Sequence, residues 1–216
     1  MHIPDGILPA QVCVGGYAIA GGVTWYVLRR IRQVSNPTEE IPKAAMLAAA
    51  FFIGSSINIP VPPVSIHLVL NGPLGVVLGW YAWPAILIGL FLQAVLIGHG
   101  GLTTLGVNAV MMGIPALIGF QVFKLRHQVG KGWSMTQSVG VFAFLAGAIA
   151  LGLAALIFFG LIVFTIPAEL NVLEERSALT ALMIAHIPLM FIEGIFTLML
   201  ALFLLRVKPN LLDNPG

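Results

Sequence analysis

Apolar residues in this chain gather into long blocks, separated by short stretches that hold most of the charges and turn formers. Read between those interruptions, the blocks predict seven helices, over residues 7–28, 44–59, 64–80, 84–98, 106–123, 138–164 and 178–206. At ~1.5 Å per residue most of them are long enough to cross a hydrocarbon core of about 30 Å. The second and fourth are short. Sixteen residues reach about 24 Å, so these two are expected to extend at their ends or to sit in a thinned region.

Composition carries the same message. Of 216 residues, 59% are hydrophobic and 8% charged, with a mean hydropathy of +1.01, whereas a soluble domain carries roughly 25% charged residues. The fold class expected is an all-α integral membrane protein. No internal repeat and no low-complexity linker divides the chain, so residues 1–216 form one domain. The one cysteine, Cys13, excludes an internal disulfide and any cysteine-based zinc or iron–sulfur site. With a net charge of +2 and its basic residues scattered, the chain offers nucleic acid no basic face.

Those basic residues fall into three groups: Arg29, Arg30, Arg32 and Lys43; Lys124, Arg126 and Lys131; Arg206 and Lys208. Seven crossings would put all three on one side, which the positive-inside rule makes cytoplasmic. The N-terminus is then outside and the C-terminus inside. Trp80, Tyr81 and Trp83 are expected at the inner boundary as an aromatic belt.

His2, His67 and His99 map to the outer side, each beside turn formers: Ile3-Pro4-Asp5-Gly6, Pro60-Val61-Pro62-Pro63 and Gly98-Gly100-Gly101. Irregular backbone near a membrane needs shelter in protein or a water-filled cavity, so these loops are expected to fold inward as a cap. The opening residues have neither the basic region nor the cleavage site of a secretory signal, and a free amine on Met1 is expected. A histidine at position 2 has a special chemistry. Its Nδ1, its own backbone nitrogen and the terminal amine can close two fused chelate rings on one ion, and a further imidazole such as His67 would complete a square plane. Nitrogen donors of this kind favour Ni(II) or Cu(II) and accommodate Co(II), while Mg(II) and Ca(II) prefer oxygen. A hydrogen-bonded loop histidine is the plainer alternative at each position.

At these residues the sequence resembles a known family, the substrate-specificity subunits of energy-coupling-factor transporters for cobalt and nickel, of the CbiM/NikM type. The likeness runs through Met1-His2-Ile3-Pro4-Asp5-Gly6, His67-Leu68-Val69-Leu70-Asn71-Gly72, Gly89-Leu90-Phe91-Leu92-Gln93-Ala94, Gly98 to Asn108, His186-Ile187-Pro188-Leu189 and Glu193-Gly194. Pro73 departs from the leucine-like residue expected after Asn71-Gly72. The resemblance implies a seven-helix subunit that binds Co(II) or Ni(II) as transported substrate through the Met1 amine, the His2 backbone nitrogen and imidazole, and His67, with no organic cofactor. It also implies partners: a transmembrane coupling subunit of the CbiQ/NikQ type, ATPase subunits of the CbiO/NikO type and a small accessory membrane subunit of the CbiN/NikN type, all in the cytoplasmic membrane of a prokaryote. His99, Asn71 and Asn108 are candidates for groups that orient the site, as is Gln93, with simple pairing to backbone the alternative for Gln93 and Asn108.

Glu193 falls near the middle of the last predicted helix, where a bare charge costs at least ~2.5 kcal/mol, so it should be buried, paired or protonated. With His186 seven residues earlier it is a candidate intramembrane polar pair. A self-sufficient proton-coupled metal transporter relaying protons through His186 and Glu193 is the competing reading, and a hydrogen bond that locks two helices together is the structural one. No phosphate-binding loop or hydrolase motif is present, so the chain is read as a transporter subunit without ATPase activity, and not as an enzyme. The nitrogen chelate requires deprotonated donors, so metal affinity should fall steeply as pH drops. Titration of the purified protein across pH checks this, and a flat profile would exclude the chelate.

Overall fold

The computed structural model describes residues 2–34, 36–61, 64–67, 69–130, 132–165 and 172–212, with the backbone alone for 58–61, 64–67 and 172–182. Met1 and Lys131 lie outside the described residues. In chain order the elements are α1 (Ala10–Ile31), α2 (Ile41–Gly54), β1 (Asn58–Val61), β2 (Val64–His67), α3 (Asn71–Leu78), a 3-10 turn (Gly79–Tyr81), α4 (Ala82–Ile97), α5 (Leu105–Lys124), α6 (Arg126–Val129), α7 (Met135–Thr165), α8 (Val172–Val207) and a last 3-10 turn (Pro209–Leu211). Among the described residues, five helical stretches are long and apolar enough to cross a membrane: Ala10–Ile31, Asn71–Ile97, Leu105–Val129, Met135–Thr165 and Met183–Val207. α2 is apolar but shorter.

Against the seven expected crossings stand five long stretches and the shorter α2, and the departure from the expected bounds lies between residues 55 and 82. The helix expected over 44–59 ends at Gly54, where the Ser55 and Ser56 hydroxyls donate to the carbonyls of Phe51 and Phe52. The helix expected over 64–80 begins only at Asn71. Between them lies an antiparallel hairpin pairing Asn58 with His67 and Val61 with Val64. Pro60, Pro62 and Pro63 cannot continue a helical hydrogen-bond ladder, and the β-branched Ile57, Ile59, Val61, Val64 and Ile66 favour extended backbone. α3 ends at Gly79 (φ 57°), and the 3-10 turn that follows leads into α4.

All eight residues of α3 are buried. Eight residues rise only ~12 Å, so α3 is an inner half-helix, packed against α5, α7 and α8. Its crossing with α7 is very close: a Cβ on Gly72 would stand 2.5 Å from the Gly147 Cα. α5 is the central rod, touching α1, α3, α4 and α7. Trp83 belongs to this core and not to an aromatic belt. It is 1% exposed, lies against Gly113 and donates from its indole to Thr24 Oγ1 at 2.8 Å. Tyr81 is also buried, its hydroxyl donating to the Pro37 carbonyl, and of the three aromatics only Trp80 is partly exposed.

The start of α3 is anchored by Glu193. This carboxylate, 0% exposed in α8, accepts from the backbone N–H of Val69 and of Gly72, both at 3.3 Å. The first turn of a helix has N–H groups without internal partners and a positive dipole end, and a carboxylate satisfies both. Pro73 follows in that same first turn, where its missing N–H costs nothing. Leu70, just before the helix, has φ 58°, an uncommon conformation for a branched residue. The bonds on either side hold it there. Glu193→Ala should leave two buried N–H groups unsatisfied, at about 1–3 kcal/mol each. Thermal unfolding in detergent should show that loss, with Glu193→Gln milder because its amide oxygen still accepts; an unaffected Glu193→Ala variant would contradict the anchoring role.

Candidate metal-capture site at the N-terminal segment

The first described residues do not hang free. Ile3 is fully buried and its two backbone polar groups are both taken: its N–H donates to Asn108 Oδ1 at 3.0 Å, and its carbonyl accepts from Asn108 Nδ2 at 3.0 Å and Thr104 Oγ1 at 2.7 Å. A primary amide is suited to this task because it offers a donor and an acceptor side by side, the pattern of a neighbouring strand. Asn108 lies in the first turn of α5 and Thr104 just before it, so the segment rests on the end of the central helix.

Two residues on, Asp5 fixes the same contact from the other side. Its carboxylate accepts from the backbone N–H of Leu102 at 3.1 Å, Thr103 at 2.9 Å and Thr104 at 3.4 Å, and from the Thr103 hydroxyl. The Thr103 hydroxyl bond, helped by these N–H groups, holds the Asp5 carboxyl below its ordinary pKa, while burial acts in the opposite sense. Gly101 makes room for it: a Cβ there would stand 2.0 Å from Asp5 Oδ1. Gly98 and Gly100 have φ of 63° and 80°, so the turn that carries His99 needs glycine on both sides.

That turn brings His99 onto His2. His99 Nε2 and His2 Nδ1 are 2.9 Å apart, with ring centroids 4.4 Å apart and planes at 70°. Burial lowers the pKa of the His99 imidazole, favouring a neutral ring. Each ring is half-buried. Among the described residues, no three histidine, cysteine or carboxylate side chains converge as a ready-made cage.

The other expected residues fall as follows. Met1 is outside the described residues. His67 ends β2, opposite Asn58, and its backbone alone is described. Val69, two residues later, is held by Glu193, so the segment leading from the His67 strand is tied to α8. Asn71 turns toward α7, its Nδ2 donating to the Ala150 carbonyl at 3.2 Å. Gln93 ties α4 to the end of α2, donating from Nε2 to Ser55 Oγ at 2.7 Å, Ser56 Oγ at 3.1 Å and the Phe52 carbonyl at 3.1 Å. His186 is buried in α8, about 10 Å along the axis from Glu193. Asp5 and Thr104 were not singled out from the sequence. Their role is to bond backbone groups about 100 residues away, and no local pattern announces that.

With this geometry in hand, the likeness to known proteins is informative. Residues 2–211 match the CbiM model, described as the cobalt uptake substrate-specific transmembrane region. A Haemophilus influenzae protein named as a metal transport protein is 33% identical over 215 residues, 99% of this chain and 98% of its own length. The cobalt transport protein CbiM 1 of Methanocorpusculum labreanum is 32% identical over 225 residues, 100% of this chain and 94% of that protein. The fused nickel transport protein NikMN of Rhodobacter capsulatus is 32% identical over 228 residues, 98% of this chain and 64% of the fusion. Among solved structures, a truncated transition metal transporter superposes with a TM-score of 0.74 at 25% identity, over 95% of this chain and 99% of that one. From residues 2 to 211, then, this multi-pass membrane protein belongs to the CbiM family of cobalt-uptake, substrate-specific transmembrane proteins.

Proposed function

We propose that this chain is the metal-capturing membrane subunit of an energy-coupling-factor transporter. It takes Co(II) or Ni(II) from outside a prokaryotic cytoplasmic membrane, through the Met1 amine, the backbone nitrogen and Nδ1 of His2, and the His67 imidazole. The observation that carries this reading is the burial of Ile3, with both its backbone polar groups bonded to α5. A segment held in this way presents the donor atoms of His2 at a fixed place. The N-terminus outside and the C-terminus inside follow from the basic residues of the α1, α5 and α8 ends.

In this reading His99 has a defined role. The Nδ1 atom that the chelate needs is the one that faces His99 Nε2 at 2.9 Å. The hydrogen bond holds the His2 ring in place before metal arrives, and metal binding exchanges it for coordination. His99 thus orients the ligand without being one. Partners supply the energy, as a CbiQ/NikQ-type coupling subunit with CbiO/NikO-type ATPases. The fusion in Rhodobacter capsulatus supports a CbiN/NikN-type companion, since there a NikM-like region is joined to a further segment under one nickel-transport name. The proton-coupled alternative gains nothing from the geometry, because Glu193 is engaged with the backbone of Val69 and Gly72.

Metal titration of purified protein beginning at Met1 tests the site. Tight binding should be lost when residues are added before Met1 and in His2→Ala, and kept in His127→Ala. Asn108→Ala removes the bonds that dock Ile3, worth about 1–3 kcal/mol. It should weaken affinity roughly five- to hundredfold without touching a ligand. Unchanged affinity in the extended protein would remove the proposed site.

A further inference from the structure

The last turn of α1 carries two cations, Arg29 and Arg30, at the opposite end of that helix from the N-terminal segment. Both line one cavity of about 260 Å³, together with Trp25, Tyr26 and Gln33. Residues four apart on a helix stand one above the other, so Trp25 and Arg29 form one row and Tyr26 and Arg30 the next. The cavity is the furrow between these rows, and Gln33 closes its outer end.

Both guanidinium groups rest on aromatic rings. That of Arg29 lies 5.8 Å from the Trp25 ring, and that of Arg30 lies 5.2 Å from the Tyr26 ring and 5.7 Å from the Trp80 ring. Arg30 Nε also donates to the Tyr26 hydroxyl at 3.0 Å, which fixes the direction of the fork. Among the described residues neither arginine is ion-paired, and the salt bridge found there joins Lys43 to Glu40. The terminal nitrogens of the two groups therefore stand side by side as placed donors, without a protein acceptor among the described residues.

The surroundings narrow the kind of anion. α1 is long and apolar enough to span a membrane, and Trp25, 65% exposed one turn before the arginines, is the residue type found where hydrocarbon meets headgroups. A turn further in, Gly21 and Gly22 are exposed, and a Cβ on either would meet nothing within 4 Å. Neighbouring guanidinium forks recognise phosphate, and basic clusters at the ends of membrane spans attract anionic headgroups. We propose that the furrow between Arg29 and Arg30 binds the phosphate of an anionic phospholipid, with Gln33 beside the headgroup and an acyl chain passing over Trp25 toward Gly21. The volume admits a headgroup and leaves the chains in the bilayer. Nothing in this site depends on the metal reading.

The test is lipid binding to the delipidated full chain, read by native mass spectrometry, with phosphatidylglycerol and phosphatidylcholine of identical acyl chains. Phosphatidylglycerol should bind at least about tenfold more tightly, and less so as salt rises. Arg29→Gln and Arg30→Gln should each remove most of that preference, and Lys208→Gln should leave it intact. The double variant Arg29→Lys with Arg30→Lys keeps both charges and loses the forks and their stacking, and it should also lose most of the preference. Helical content and thermal midpoint report whether each variant is folded; if a glutamine variant is not, the lysine pair and the salt dependence decide. Equal binding of the two lipids overturns the proposal. An undiminished preference in the lysine pair would mark general attraction to surface charge, and full displacement by millimolar inorganic phosphate a site for the free ion. Lipid preference untouched by Arg29→Gln and Arg30→Gln, with assembly with a coupling subunit lost, would mark a protein contact. Each of these three results also ends the lipid reading.

Discussion

Backbone that is neither helix nor sheet has to find hydrogen-bond partners wherever apolar surroundings exclude water, and in this bundle side chains from distant parts of the chain provide them. Asn108 and Thr104 satisfy Ile3, Asp5 satisfies residues 102–104, and Glu193 satisfies Val69 and Gly72. Each link joins positions 97 to 124 residues apart. The segments that bear His2 and His99 therefore depend on the assembled helices for their conformation. A loop sheltered in this way can be both irregular and precisely placed, which a metal site requires.

How much of this was legible depended on whether a feature is a property of side-chain hydrophobicity or of backbone bonding. α1, α5, α7 and α8 lie within a few residues of their expected bounds, because unbroken apolar blocks are a length measurement in disguise. The stretch 55–70 misled the same reasoning. It is as apolar as its neighbours, and only Pro60, Pro62 and Pro63 signal that its N–H pattern suits a hairpin. Trp83 was misplaced for a related reason: aromatics near a turn suggest a membrane boundary, while its burial depends on Gly113 thirty residues later. At the site, the glycines around His99 were readable as a turn, and Asn108 stood inside the family likeness. Glu193 was recognisable as a group that needed partners. Those partners are backbone N–H groups, which every residue but proline has, so the sequence could not name them.

The docked segment also bears on affinity. Ordering a free chain end costs about 1–2 kcal/mol of backbone entropy per residue. With Ile3 bonded on both sides and Asp5 clamped beyond it, residues 3–5 are already ordered, which the proposed metal site would exploit. The contact between His2 and His99 extends this order to the ring itself. A chelate assembled from such parts loses little further freedom on binding. Any motion that shifted the start of α5 relative to the segment would move Asn108, Thr104 and the 102–104 backbone together.

α5 runs from that segment toward the opposite end of the molecule. Its first turn carries Asn108, and its last carries Lys124, sixteen residues or about 24 Å away. Along its length it is gripped at Gly106 by α1, at Gly113 by Trp83 and at Gly119 by the Ala146 carbonyl, all within close contact. These contacts pack the helix closely on both sides of Pro115. Gly16 and Gly106 fix it to α1 near the capture end. The packing that fixes the start of α5 against α1 is thus the same packing that places Asn108 and Thr104 under the backbone of Ile3.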